Sequence, residues 1–186
     1  MTAIFLDRDG VINRKPAEGQ YITKWNAIGF LPGVFRSVSA LCQAGFKIIV
    51  VTNQRGITLG RVRLEDLEDI HSRMKARFAQ HDAIISGIYF CPHDISEHCG
   101  CRKPKPGMLL RAAKEHGLDL STCWMIGDAA SDIEAGKGVG CKTVRILPPG
   151  SMGRNGPKAD IRATDLSSAV RKVLRSVRLL TEVSSS

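Results

Sequence analysis

Five short apolar-rich runs of strand length alternate along this chain with stretches of helical spacing, and no other feature restricts the fold as much. The strands are expected at Ala3–Leu6, Phe46–Thr52, Ile84–Phe90, Thr122–Ile126 and Cys141–Ile146. Helices are expected at Val34–Ala44, Arg63–Ala79, Pro106–His116, Ala129–Lys137 and Leu166–Leu180. In Arg63–Ala79 the residues Leu64, Leu67, Ile70 and Met74 share one face, as a surface helix requires. A run such as Phe46–Thr52 is apolar nearly throughout rather than at every second residue, which marks a strand covered on both sides. Strands of that kind alternating with helices predict an α/β fold, a parallel sheet between two helical layers. Ligands of such sheets gather at the carboxyl ends of the strands. The stretch Pro148–Asp160 is rich in Pro and Gly and reads as a surface loop. Residues 184–186 read as a frayed tail.

At 186 residues the chain is expected to be one domain, residues 1–186, with a sizeable core. Its apolar runs are too short to span a bilayer. Asp7 and Asp9 interrupt the opening apolar segment, which argues against a secretory signal. The expectation is a cytoplasmic monomer. The formal charge is +9, which favours an anionic partner. Aromatic residues make up only 5%, so no stacking platform for bases is visible. Arg171, Lys172, Arg175 and Arg178 read as the solvated face of a helix. The partner expected is a small anionic phosphate ester, with neither nucleic acid nor membrane.

Polar motifs fall where those strands end. Asp7 and Asp9, in Phe-Leu-Asp-Arg-Asp-Gly, follow the first strand. Thr52, Asn53 and Gln54 close the second, and Gly127-Asp128 closes the fourth. Each alone reads as a turn or a helix cap. Together they place carboxylates, a hydroxyl and amides at one sheet edge. Two acids on one turn can divide phosphoryl transfer, one attacking phosphorus and the other moving protons. Repulsion between carboxylate and phosphate calls for a hard cation. Mg2+ takes oxygen ligands, here Asp7, Asp128 and the carbonyl of Asp9. Thr52 and Lys103 would engage phosphoryl oxygens. Asp132, one turn beyond Asp128, reads equally as a water-mediated metal contact and as a surface acid at a helix start.

These segments resemble the four motifs of the haloacid dehalogenase-like phosphohydrolases: Asp7-Arg8-Asp9-Gly10-Val11, Thr52 in Val-Val-Thr-Asn-Gln, Lys103 in Cys-Arg-Lys-Pro, and Gly127-Asp128 with Asp132. The resemblance implies a three-layer Rossmann-like sheet, Asp7 as nucleophile, Asp9 as general acid/base and Mg2+ as cofactor. No segment is long enough for a cap domain, so the site is expected to be capless.

A second constellation, Cys91-Pro92-His93 and Cys99-Gly100-Cys101, offers three thiolates and an imidazole. That is a closed tetrahedral set for structural Zn2+, preferred to disulfides in a reducing compartment. His98 is the alternative imidazole. Cys42, Cys123 and Cys141 read as core residues. With this zinc loop, the chain resembles the D-glycero-D-manno-heptose 1,7-bisphosphate phosphatases and the related histidinol-phosphate phosphatases. The segment Thr52–Ile57 looks more like the former, and the five-residue spacer between His93 and Cys99 more like the latter. The first resemblance implies hydrolysis of the 7-phosphate, with Asn53, Gln54, Arg55, Arg102 and Lys103 binding substrate, Arg61 as a further contact, and the segment Arg14–Tyr21, including Tyr21, lining the pocket. Ala129 departs from the pattern, since many of those enzymes carry a basic residue there. A zinc-bearing nucleic-acid binder and a catalytically dead scaffold of the same fold are the readings from other classes.

Overall fold

The computed structural model describes residues 2–147, 149–150 and 156–183, with side chains to residue 179. Parallel strands form one sheet: β1 (Ala3–Leu6), β2 (Lys47–Asn53), β3 (Ile85–Cys91), β4 (Trp124–Gly127), β5 (Lys142–Ile146) and β6 (Ile161–Ala163), in the order β3-β2-β1-β4-β5-β6. The helices are α1 (Val34–Gln43), α2 (Leu64–Ala79), α3 (Gly107–His116), α4 (Ala130–Lys137) and α5 (Leu166–Val183).

Side chains alternate across the sheet, and both faces are apolar. Ile4, Leu6, Ile48, Val50 and Ile126 face α1, α5 and the Met74–Phe78 end of α2. Ala3, Phe5, Ile49, Val51 and Met125 face α3 and α4. Each central strand thus fills two cores at once, which is why its sequence lacks polar alternation.

Every expected strand and helix forms, with ends shifted by a residue or two and α5 extended to Val183. The strand β6 is an addition. Ile161-Arg162-Ala163 is too short to display a period of two, and it is a strand only because it pairs with β5, Val144 against Ile161. Short 3-10 turns at Trp25–Ala27, Ile95–Glu97 and Leu120–Thr122 were likewise not expected. Part of the loop expected at Pro148–Asp160, and all of the tail at 184–186, lie outside the described residues.

Strand order positions the site. The chain runs β1-β2-β3 to one side and then crosses to β4 on the other side of β1. Such a switch point opens a crevice at the carboxyl ends of the strands, here directly after Leu6 and Gly127.

Candidate active site

The register of β1 against β4 pairs Leu6 with Ile126, and the Asp7 N–H donates to the Ile126 carbonyl at 3.0 Å. Asp7 therefore stands beside the start of the β4–α4 turn that carries Asp128. After Asp7 the chain folds tightly back, with the N–H groups of Ile12 and Asn13 donating to the Arg8 carbonyl. That turn holds Asp9 over the sheet edge. Gly10 sits in it at φ 97°, a region that L side chains avoid. A Cβ there would lie 2.5 Å from Asp128 Oδ2.

Lys103 enters from the segment before α3. Its three ammonium hydrogens are matched by three acceptors: Asp7 Oδ1 at 2.8 Å, Asp132 Oδ1 at 2.6 Å and the Val51 carbonyl at 2.7 Å. With no donor left over, this lysine holds Asp7 and supplies charge. Asp132 is 1% exposed and its other oxygen accepts the Ala129 N–H at 3.0 Å. It is a buried anchor for Lys103, not a surface acid. Burial, with Asp132 and Asp9 nearby, pushes the Asp7 carboxyl up to about 7 against the pull of Lys103. Lys103 is itself raised, because Asp132 and Asp7 outweigh its burial.

Asp9 is arranged oppositely. Arg8 clamps both its oxygens, Nε to Oδ1 at 3.2 Å and Nη2 to Oδ2 at 2.9 Å. Asn13 donates to Oδ1 at 2.8 Å and Gln54 to Oδ2 at 3.0 Å. Burial favours the neutral acid, but the Arg8 guanidinium and these donors outweigh it and hold Asp9 below the usual carboxylate range. In the metal-free site the two carboxyl groups, two residues apart, are thus driven in opposite directions, Asp7 toward its protonated form and Asp9 toward its ionised form.

The cleft has a volume of about 320 Å³ and is lined by Asp7, Asp9, Thr52, Asn53, Gln54, Arg55, Arg102, Lys103, Asp128 and the rim segment from Lys15 to Ile22, including Tyr21. Arg61 does not line it. Asn53 and Gln54 line the wall with committed amides. Asn53 pairs with both the N–H and the carbonyl of Lys103, and Gln54 bridges Asp9 and Thr52. The cations toward the mouth are Lys15, Arg55 and Arg102. Arg55 donates to the Tyr21 hydroxyl at 3.1 Å and lies 3.6 Å from Asp94, while Arg102 donates to the His93 carbonyl at 3.1 Å. Ala129 offers no charge, but Lys15 Nζ lies 2.8 Å from Asp128 Oδ2, bringing a cation to that carboxylate from another loop.

Among the described residues, two clusters suit metals. Carboxylate oxygens of Asp7, Asp128 and Asp132 lie within 4.8 Å of one another. Asp128 Oδ1 is buried without a hydrogen-bond partner, as a carboxylate meant for a hard cation would be. The second cluster joins Cys91, His93, Cys99 and Cys101. Its sulfurs stand 3.2–3.5 Å apart and His93 Nδ1 lies 3.3 Å from Cys101 Sγ. These are separate thiols, too distant for S–S bonds, and the edges approach the ~3.8 Å of a tetrahedron built on ~2.3 Å Zn–S bonds. His98 is exposed and outside the cluster.

Arg8 and His71 were not marked in the sequence as site residues. Arg8 is 1% exposed and its Nη1 lies 3.2 Å from His71 Nε2. The available signal was a histidine on the apolar stripe of α2, between Leu67 and Met74.

Comparison with known proteins agrees with this geometry. A family model described as HAD-hydrolase-like matches residues 100–170. A D-glycero-beta-D-manno-heptose-1,7-bisphosphate 7-phosphatase of Pseudomonas aeruginosa is 34% identical over 92% of this chain and 97% of its own. A D-glycero-alpha-D-manno-heptose-1,7-bisphosphate 7-phosphatase of Mycobacterium bovis is 37% identical over 77% of this chain and 78% of its own. The crystal structure of a D,D-heptose 1,7-bisphosphate phosphatase from B. bronchiseptica, complexed with magnesium and phosphate, superposes with a TM-score of 0.87 at 29% identity, covering 95% of this chain and 99% of that one. Sheet order, paired aspartates and these similarities converge: the chain is a phosphoric monoester hydrolase of the haloacid dehalogenase-like superfamily and belongs to the heptose-1,7-bisphosphate 7-phosphatase family.

Proposed function

We propose that this enzyme removes the 7-phosphate of D-glycero-D-manno-heptose 1,7-bisphosphate, with Asp7 as nucleophile and Asp9 as acid/base. The observation that carries the proposal is Asp7 held by Lys103 at one oxygen, with Asp9 clamped two residues later over the same cleft. Lys103 occupies Oδ1, which leaves Oδ2 for attack on phosphorus. The donors around Asp9 hold it ionised in the free site, so it must take up a proton before attack. It then gives that proton to the departing sugar oxygen and later takes one from water, which opens the aspartyl-phosphate. Thr52, whose oxygen already accepts from Gln54, has its hydroxyl hydrogen free for a phosphoryl oxygen. Mg2+ fits Asp7, Asp128 and the Asp9 carbonyl, where its charge would offset that of the phosphoryl group. Arg55 and Arg102, at the mouth of the cleft, supply a second, cationic subsite for the phosphate at the other end of the sugar.

Zn2+ fits the Cys91, His93, Cys99 and Cys101 cluster, with no position left for substrate. Its role would be structural, fixing the loop from which Arg102 and Lys103 project.

The test is phosphate release with Mg2+ on both anomers of the heptose bisphosphate and on L-histidinol phosphate. A kcat/KM favouring one heptose anomer is expected. The short spacer between His93 and Cys99 favours the second reading, and preference for histidinol phosphate would establish it over the first. Chelation is expected to abolish turnover and added Mg2+ to restore it.

Gly10→Ala tests the metal assignment from the protein side. Its positive φ costs about 1–2 kcal/mol, and the new methyl displaces Asp128. A Mg2+ requirement raised roughly tenfold or more is expected. An unchanged Mg2+ titration would remove Asp128 from the ligand set.

A further inference from the structure

We infer that His71, on helix α2, is a positioning residue for proton transfer, acting on Asp9 through the buried guanidinium of Arg8. The inference rests on the acid/base reading of Asp9.

Arg8 has no route to solvent, being 1% exposed. Two of its nitrogens form the fork on Asp9, at 3.2 and 2.9 Å. Its third, Nη1, lies 3.2 Å from His71 Nε2. A guanidinium only donates, so Nε2 must be the acceptor and the imidazole must be neutral with its proton on Nδ1. The surroundings enforce that state. His71 is 7% exposed and its ring lies 5.7 Å from that of Phe90. Burial and the Arg8 charge push its pKa down to about 3. A buried polar group on an otherwise apolar stripe costs stability unless it is satisfied, and the partner it satisfies is the one that orients Asp9.

A guanidinium is a rigid plane, so fixing Nη1 fixes the angle of the fork. Without His71, one end of Arg8 has no acceptor, and the plane can rotate about its bond to the chain. Asp9 then loses its aim at the ester oxygen, although Asn13 and Gln54 still hold it. In the step concerned, the Asp7 Oδ–P bond forms as the P–O bond to the sugar breaks. Asp9, which must have taken up a proton first because its donors hold it ionised in the free site, passes that proton to the leaving oxygen. An alkoxide leaving group needs that proton. A nitrophenolate does not, so the two esters separate loss of proton transfer from general damage.

The experiment compares kcat/KM for the heptose bisphosphate and for 4-nitrophenyl phosphate in His71→Leu, His71→Gln and Asp9→Asn. His71→Leu is expected to lose about tenfold or more on the sugar ester and much less on the nitrophenyl ester. His71→Gln, which places an amide oxygen near the position of Nε2, is expected to recover most of the loss. Equal losses on both esters, or no loss in a folded His71→Leu, would overturn the inference. If His71→Leu does not fold, His71→Asn replaces it, since its shorter side chain cannot reach Arg8. Asp9→Asn separates the two layers of the argument. If it too hits both esters equally, the acid/base reading itself is wrong. If it spares the nitrophenyl ester and His71→Leu does not, only the role of His71 fails.

Discussion

Asp7→Asn is expected to reduce turnover by at least about four orders of magnitude while leaving the fold in place. An amide oxygen is a poor nucleophile toward phosphorus, and Asp132, the other carboxylate on Lys103, has its second oxygen committed to the Ala129 N–H. The fold survives because of the charge arrangement. Lys103 is shared between Asp7 and Asp132, at 2.8 and 2.6 Å, so two buried carboxylates face one ammonium. The substitution leaves a one-to-one pair of Lys103 with Asp132, and the Val51 carbonyl still accepts from Nζ. In the metal-free protein a pH signature follows. The folded state raises Asp7 from 3.8 to about 7, so it binds more protons than the unfolded chain between those values. The stability linked to Asp7 is therefore present below pH 3.8 and is lost as pH rises through about 7. Thermal unfolding of the metal-free wild type should show that decline, and Asp7→Asn should not. Acid quenching during turnover with labelled substrate should trap an acyl phosphate only in the wild type. Residual activity of the variant above about 1% of wild type would remove Asp7 from the nucleophile role.

Loss of the zinc ion proposed for the Cys91, His93, Cys99 and Cys101 cluster is the second large effect. Cys101→Ser is expected to release the ion, lower stability by about 3 kcal/mol or more and so lower Tm by ~10 °C for a chain of this size. Cys101 approaches all three other members of its cluster, and without its thiolate only three of the four ligands of a closed site remain. The same change should cut kcat/KM on the bisphosphate by more than tenfold, chiefly through KM. Arg102 is tied to the His93 carbonyl, and Arg55 lies near Asp94 inside the loop. When the loop slackens, the second, cationic subsite loses its shape. Lys103 is buffered, because Asn53 holds its backbone at both the N–H and the carbonyl. Metal analysis, Tm and steady-state kinetics on one preparation decide the matter. Protein free of zinc with unchanged Tm and KM would leave the four side chains as an ordinary thiol cluster.

Much of the architecture can be read from residue types in order. β1 and β2 are legible because both sides of each strand are covered, so every position along them is under the same demand for an apolar side chain. The strand ends carry their chemistry in adjacent residues, which is why Asp7, Asp9, Thr52 and Asp128 could be placed at one sheet edge from spacing alone. The Cys/His cluster was legible for a related reason. All four of its members lie within one short segment, and the structure brings together His93 rather than His98. Where the local signal was weak, the reading fell short. Nothing in Ile161-Arg162-Ala163 marks a strand until β5 lies beside it.

What the sequence by itself determined, then, is the set of chemical groups and the edge of the sheet at which they meet. Only the tertiary structure decided how they are shared. Lys103 reaches Asp7 across 96 positions, Arg8 reaches His71 across 63 and Lys15 reaches Asp128 across 113. Periodicity reports what one element needs from its own neighbours along the chain. It is silent about which distant element lies opposite, and that is set by strand order and by the angle at which α2 packs. Asp132 shows the difference. By position it was equally a surface acid or a water-mediated metal contact. It became a buried anchor because the crossover to β4 places it beneath a lysine that needs a second carboxylate, and a buried charge is stable only where such a partner is supplied.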